Sequence, residues 1–152
     1  RGKMPGLWKL CRDGKLDEVR AELARGGDVN DKNANGSTAL MWAVGNGHNS
    51  IVKRLLEQPA VKTNEKNKYG DTALHLAARS GQAGTLVALL GSGADAAAQS
   101  HEGLTPLHVA CHRTAATSVR TVRLLLERGA SVYARDRAGR TALSRGCAAE
   151  AG

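Results

Sequence analysis

The stretch Gly70-Asp71-Thr72-Ala73-Leu74-His75-Leu76-Ala77-Ala78-Arg79-Ser80-Gly81 recurs in altered form along the chain. Gly36-Ser37-Thr38-Ala39-Leu40-Met41 precedes it, Gly103-Leu104-Thr105-Pro106-Leu107-His108 follows, and Gly139-Arg140-Thr141-Ala142-Leu143-Ser144 comes last. The threonines at 38, 72, 105 and 141 are separated by 34, 33 and 36 residues. A period in this range means that each copy is one small supersecondary unit, unable to bury its apolar face alone and stabilised by stacking on its neighbours. A single closed core built on one sheet or bundle is thereby set aside.

Within a unit, residue types dictate local structure. Each of Thr38, Thr72, Thr105 and Thr141 stands just ahead of an apolar run, where a hydroxyl accepts from the free N–H groups of a helix start. Pro106 occupies the first turn, where its missing N–H is no loss. Gly36, Gly70, Gly103 and Gly139 lie in the polar stretch before each threonine, which predicts tight turns at positive φ. In the second unit an inner helix starts at Thr38 and breaks at Gly45-Asn46-Gly47-His48. An outer helix then carries Ile51, Val52, Leu55 and Leu56 on one stripe, with Lys53, Arg54 and Glu57 opposite, and Pro59 stops it. The third unit repeats this with Leu86, Val87, Leu89 and Leu90.

The fourth unit is longer. Thr38 to Leu56 and Thr72 to Leu90 both span 18 residues, whereas Thr105 to Leu126 spans 21. The surplus falls between Arg113 and Ser118 and reads as an extended turn. Residues 7–30 lack the threonine and read as an N-terminal cap, and the last unit, about Thr141–Ala149, holds one helix, as a half-cap or as a break within a longer array. The expected organisation is one domain over residues 5–149, with units at about 5–32, 33–66, 67–99 and 100–135 and a partial unit at 136–149; Arg1-Gly2-Lys3-Met4 reads as a tag or linker remnant.

Composition narrows the function classes. There is no Phe, and two Trp and two Tyr leave the interior to Leu, Val, Ile and Ala. Cys11, Cys111 and Cys147 are odd in number and far apart, so neither a disulfide framework nor a zinc knuckle is expected, and a reduced cytoplasmic or nuclear setting fits. No apolar run is long enough to span a bilayer. His108 and His112 share a helix face, but the Glu of a zinc-protease motif and a third ligand are both missing, so no metal or other cofactor is expected. No nucleophile is paired with a base, and no small-molecule substrate or catalysis is expected. The net charge of +8 favours acidic partners.

Several elements recur in register: Thr-Ala-Leu-His-Leu-Ala-Ala at 72–78, Thr-Pro-Leu-His-Val-Ala at 105–110, Gly-Ala-Asp at 93–95 and Gly-Gly-Asp-Val-Asn at 26–30. Together they resemble the ankyrin repeat family over about residues 5–149. Met41 and Ser144 stand where the family has His, Ala97-Ala98 where it has Val-Asn, and Thr114 where it has a Gly after the helix. The resemblance implies an all-α solenoid of stacked helix-turn-helix units with projecting β-turn fingers, and a non-enzymatic module that holds a partner on a concave face of fingers and inner helices.

Carried over position by position, the family's contact residues are Arg12 and Asp13 in the cap, then Ala34, Asn35, Ser37, Gly45 and Asn46. They continue as Lys68, Tyr69, Asp71, Arg79 and Ser80, as His101, Glu102, Leu104, His112 and Arg113, and as Arg137, Ala138, Arg140 and Arg145. Tyr69 at a finger, with Trp42 on the neighbouring inner helix, offers aromatic anchors, although a Trp at such a place is more often partly buried packing between inner helices than a ligand platform. The basic residues of the set outnumber Asp13, Asp71 and Glu102, which points to a partner protein or peptide of acidic or mixed charge. Nucleic acid is the competing reading, on net charge and the arginines at 135, 137, 140 and 145, but aromatics do not interleave with that basic stretch. A passive scaffold segment of a larger protein is the third.

Overall fold

The computed structural model describes residues 5–112 and 116–145, and of 116–118 the backbone alone. Its helices are α1 (Leu7–Arg12), α2 (Leu16–Ala24), α3 (Ala39–Gly45), α4 (Asn49–Leu56), α5 (Ala73–Ser80), α6 (Ala83–Gly91), α7 (Pro106–Cys111) and α8 (Ala116–Glu127). A further helical stretch opens at 142 and runs to 145, where the described residues end. Inner helices α1, α3, α5 and α7 pack in succession, and the outer helices α2, α4, α6 and α8 stack beside them. The architecture is the all-helical solenoid that the period predicts.

One apolar seam runs the length of the stack. Leu10, Val19, Leu40, Ile51, Leu55, Leu74, Leu86, Leu89, Leu107 and Leu125 are buried, and Ala43, Ala77 and Ala110 are fully covered where inner helices approach closely. Each such leucine contributes about 1.5–3 kcal/mol on leaving water, so the stack is stabilised by many similar contacts distributed along its length. Val87 departs from the expected stripe. It is exposed, and Thr85, Leu86 and Leu89 form the buried side of α6, because adjacent helical residues are turned by about 100° and cannot all face the core.

The threonine positions hold the inner helices at their starts. Thr38 Oγ1 accepts from the Met41 N–H at 3.2 Å, and Thr105 Oγ1 from the His108 N–H at 3.4 Å. In units three and four the histidine extends the cap into the next unit. The Thr72 N–H donates to His75 Nδ1 at 3.1 Å, and His75 Nε2 lies 2.7 Å from the Leu104 carbonyl. His108 repeats the arrangement with the Thr105 N–H at 3.2 Å and the Arg140 carbonyl at 2.9 Å. Since a backbone N–H only donates, Nδ1 holds its lone pair and Nε2 donates its proton to the carbonyl. Met41 fills the same place with buried apolar packing, and Ser144 bonds back to Thr141 within its own turn.

The first unit, lacking the threonine, is capped from a distance. Asp31 Oδ2 accepts from the Trp8 N–H at 3.2 Å, which satisfies one free donor of α1.

A second set of links joins the loops after the outer helices. The Asn30 amide reaches the Ala60 carbonyl and the Lys62 N–H, both at 2.8 Å. Asn64 does the same with the Gly93 carbonyl at 3.1 Å and the Asp95 N–H at 2.8 Å. The third copy of this position is Ala97. Gly93 at φ 92 matches Gly26 at φ 85, and the Ala97 N–H to Asp95 Oδ1 bond repeats that of Asn30 to Asp28. The residues replacing Val-Asn are therefore Ala96-Ala97, one place earlier than the sequence alignment put them.

The surplus of the fourth unit lies in a helix rather than in a turn. Outer helices begin 11 residues after the threonine in all three full units (38 to 49, 72 to 83, 105 to 116), but α8 has 12 residues against 9 in α6. Three residues are close to one helical turn, so the insertion preserves the phase of the buried stripe, with Thr121 and Leu125 covered as Thr85 and Leu89 are. Thr114, proposed as a loop substitution, lies outside the described residues.

Ala97→Asn should supply the missing link to the Gly129 carbonyl and the Ser131 N–H, raising stability by about 1 kcal/mol; an unchanged urea midpoint would contradict this. Burial pushes the His75 imidazole below its ordinary value of 6.5, Arg79 and Lys66 adding to the depression while the Leu104 carbonyl and Asp71 oppose it. The unfolded chain then binds the proton more readily, so the stability His75 contributes is complete above about pH 6.5 and is lost as pH falls from there toward the lower folded value. Urea midpoints should accordingly drop between about pH 7.5 and about pH 5.5.

Candidate functional site

The segments between units form hairpin fingers, each closed by a side chain at its base. Asn67 Oδ1 accepts from the Tyr69 and Asp71 N–H groups at 2.9 and 3.1 Å, Asn33 Oδ1 does the same for Asn35 and Ser37, and Asp136 Oδ1 for Ala138 and Arg140. Ser100 Oγ accepts from the Leu104 N–H. Successive fingers are then joined through their backbones: the Lys68 N–H to the Asn35 carbonyl at 2.9 Å, His101 to Tyr69 at 3.0 Å, and Arg137 to Glu102 at 2.8 Å. Such close approach needs glycine at the turn. Gly70 sits at φ 79, and a Cβ there would lie 2.5 Å from the His101 nitrogen.

Two grooves open along this side. The larger, about 360 Å³, is lined by Lys68, Tyr69, Asp71, Arg79, Ser100, His101, Glu102 and Leu104. The smaller, about 220 Å³, is lined by Ser37, Met41, Trp42, Gly45, Asn46, Asn67 and Leu76. Of the contact residues expected from sequence, Lys68, Tyr69, Asp71, Arg79, His101, Glu102 and Leu104 line the first groove, and Ser37, Trp42, Gly45 and Asn46 the second.

The individual roles differ. Asp71, at 6% exposure, is held at 3.0 Å from Arg79 and acts as its anchor. Arg140 pairs with Asp136 at 3.1 Å and Arg145 with the same oxygen at 3.2 Å; the Arg140 backbone N–H is the largest cause holding the Asp136 carboxyl below its usual range, against the effect of burial. Arg12 bonds to Asp13 at 2.8 Å and lies over the Trp8 ring. Their hydrogen bond raises the Arg12 pKa and lowers that of Asp13. Asn46 donates to the Arg12 carbonyl at 3.1 Å, so it joins two units. Asn35, Ser80, Glu102, His112 and Arg137 are exposed, and Tyr69 is 61% exposed with Lys68 Nζ 5.0 Å from its ring. Arg113 lies outside the described residues.

A family model of ankyrin repeats, in three copies, matches residues 7–99 and 82–152. The chain belongs to the ankyrin repeat family. Among its relatives, an ankyrin repeat domain-containing protein of Stachybotrys chartarum is 35% identical over 133 residues, 85% of this chain and 6% of the relative. Inversin-B of Xenopus laevis is 42% identical over 71 residues, 46% of this chain and 7% of the relative. Palmitoyltransferase Hip14 of Drosophila melanogaster is 32% identical over 101 residues, 66% of this chain and 16% of the relative. The ankyrin chain thus spans less than a fifth of the length of each of these.

Ankyrin repeats are in general protein interaction modules, and the finger side of this chain carries the two grooves described above. It offers hydrogen-bond donors, cations, an exposed phenol ring and small apolar surfaces. Burial, with a smaller contribution from Asp31, pushes the Cys11 thiol up to about 12, and burial also raises Cys111, so neither presents a ready thiolate. Among the described residues no cluster of three His, Cys, Asp or Glu could hold a metal ion, and no helix is long and apolar enough to cross a membrane.

Trp8 was not anticipated. It stacks on Trp42 with ring centroids 5.9 Å apart, so the ring that lines the smaller groove is one half of an indole pair joining the first two units. The signal was available: Trp8 and Trp42 differ by 34 positions, as do Arg12 and Asn46. Ser100 was missed because it lies at the finger base, in the place that Asn67 holds one unit earlier.

Because the larger groove depends on the finger ladder, Gly70→Ala should cost about 2–3 kcal/mol through left-handed strain and a displaced inter-finger bond. Gly93→Ala, where a Cβ meets nothing within 4 Å, should cost only the strain, about 1 kcal/mol. Equal losses in thermal or urea unfolding would show that the ladder bears no load.

Proposed function

We propose that this ankyrin domain binds an acidic or mixed-charge segment of another protein along its fingers and inner helices, with the groove at Tyr69 as the centre of contact. The observation that carries the reading is the state of the cations around it. Arg79, Arg140 and Arg145 are held by the buried carboxylates of Asp71 and Asp136, whereas Lys68 and Arg137 stand exposed and form no ion pair among the described residues. Lys68 lines a groove that also contains an exposed aromatic ring and Leu104, and Arg137 stands on the next finger, its N–H bonded to the Glu102 carbonyl. Aromatic side chains flanked by cations are the residue types that carry binding energy at protein interfaces.

Polyanionic nucleic acid is a poorer match to the same surface. Glu102 is exposed in the groove and Asp71 lies at its wall, placing carboxylates where phosphates would track.

Reversing Lys68 and Arg137 together to Glu should weaken capture of an acidic peptide by about tenfold or more at low salt, read by fluorescence anisotropy. Lys53→Glu on the outer face serves as the control and should leave capture unchanged. Equal weakening by both variants would reduce the effect to net charge and refute a defined face.

A further inference from the structure

Lys68, His101 and Arg137 occupy the same place in three successive fingers. Each is the residue whose N–H donates to the carbonyl of the preceding finger, to Asn35, Tyr69 and Glu102 respectively, at 2.8 to 3.0 Å. Identical hydrogen-bond register places their Cα atoms on one line across the fingers. All three side chains are exposed, and among the described residues none is in an ion pair. Of the nearby cations, Lys66 donates to the Gln99 carbonyl, Lys32 lies by Glu65, and Arg79 and Arg140 bind the finger aspartates, while Arg135 sits at the base of the last finger, paired through its backbone with Thr141 and outside the line. The line is therefore a sparse row of nitrogen donors, cationic at both ends, and its spacing is set by the fold.

That spacing follows from sheet geometry. Each finger contributes two hairpin arms, and neighbouring strands lie about 4.8 Å apart, so one unit advances by about 10 Å and the row spans about 20 Å. Few backbone conformations put equivalent side chains on one side at that interval. A β-strand returns to the same face every second residue, at about 6.7 Å or 13 Å. A polyproline II helix returns every third residue, at about 9.3 Å. An α-helix returns after seven residues at about 10.5 Å, but its diameter of about 10–12 Å is too broad to reach both the finger tips and the groove floor.

We propose that the partner segment is an acidic polyproline II stretch lying across the fingers, with a carboxylate at every third position meeting Lys68, His101 and Arg137 in turn. This rests on the acidic-peptide reading above and makes it specific. The carboxylates take the donor row. The residues between them face the groove, where the exposed Tyr69 ring, with Lys68 Nζ 5.0 Å from it, and Leu104 receive proline rings. Aromatic-lined grooves suit this conformation because it carries little conformational entropy into the complex.

The test uses labelled peptides on the whole 152-residue chain, read by fluorescence anisotropy. One peptide repeats the triplet Glu-Pro-Pro, a second has the same composition with its glutamates contiguous, and a third is an Ala-rich helix with Glu at every seventh position. The triplet peptide should bind at least about tenfold more tightly than the second and third. Its advantage should disappear in Lys68→Ala/Arg137→Ala, and His101→Arg should strengthen it. Thermal unfolding of each variant checks that the fold is retained. Equal affinity of the triplet and contiguous peptides, both lost on charge reversal, would overturn the spacing and leave the acidic reading standing. Preference for the helical peptide would overturn the extended conformation, and failure of every peptide would remove both.

Discussion

A pair of helices of seven to nine residues, such as α3 with α4 or α5 with α6, has too little surface to bury its own apolar stripe, so each unit of this chain is folded by its neighbours. The junctions are consequently where polar precision is concentrated. Between units three and four the His75 imidazole connects the start of α5 to the Leu104 carbonyl, while the loop amide is missing at Ala97. Between units two and three the situation is reversed. Met41 makes no such bridge, and Asn64 supplies two hydrogen bonds, with Gln82 reaching the Val44 carbonyl and Thr85 the Asn49 amide oxygen. Each junction is held by a different subset of the same devices, which is the freedom that a nearest-neighbour stack permits.

The junctions also set the electrostatics of the surface. A net charge of +8 describes solubility and steering more than recognition, and it conceals how differently the cations are placed. Asp71 and Asp136 lie nearly covered at the bases of their fingers, and each holds an arginine by its carboxylate. These ion pairs shape the wall of the groove and keep Arg79 and Arg140 from acting as independent contacts. Lys68 and Arg137, further out on the fingers, are exposed and form no ion pair among the described residues. Position within the finger, set by the hairpin hydrogen bonds, therefore decides which positive charges are paired internally and which are left without an ion pair among the described residues.

Much of this was legible from the residues. Thr38, Thr72 and Thr105 announced helix starts, Gly70 and Gly103 announced turns at positive φ, and all are found so. Seven of the expected contact residues line one groove because the repeat register alone fixes which positions share a face. The exceptions have physical causes. The three extra residues of the fourth unit were read as a turn on their small and polar character, yet they lengthen α8, since one whole turn adds helix without rotating the buried stripe. Trp42 is stacked on by the indole of Trp8, one period earlier, which agrees with packing between inner helices as the commoner role of such a ring. Asp71 and Arg140, both expected contacts, also pair within their own fingers, Asp71 with Arg79 and Arg140 with Asp136, and no local rule in the sequence states such pairings.

The sequence by itself determined the period, the helix starts, the apolar seam and the positions that lie on the finger side, because each depends on residue type at short range or on fixed spacing. Only the tertiary structure decided which of those positions are free to act. Ion pairing, ring stacking and the line formed by Lys68, His101 and Arg137 arise when side chains about 33 residues apart are brought side by side by stacking, and no local rule in the sequence states which partner a side chain will find there.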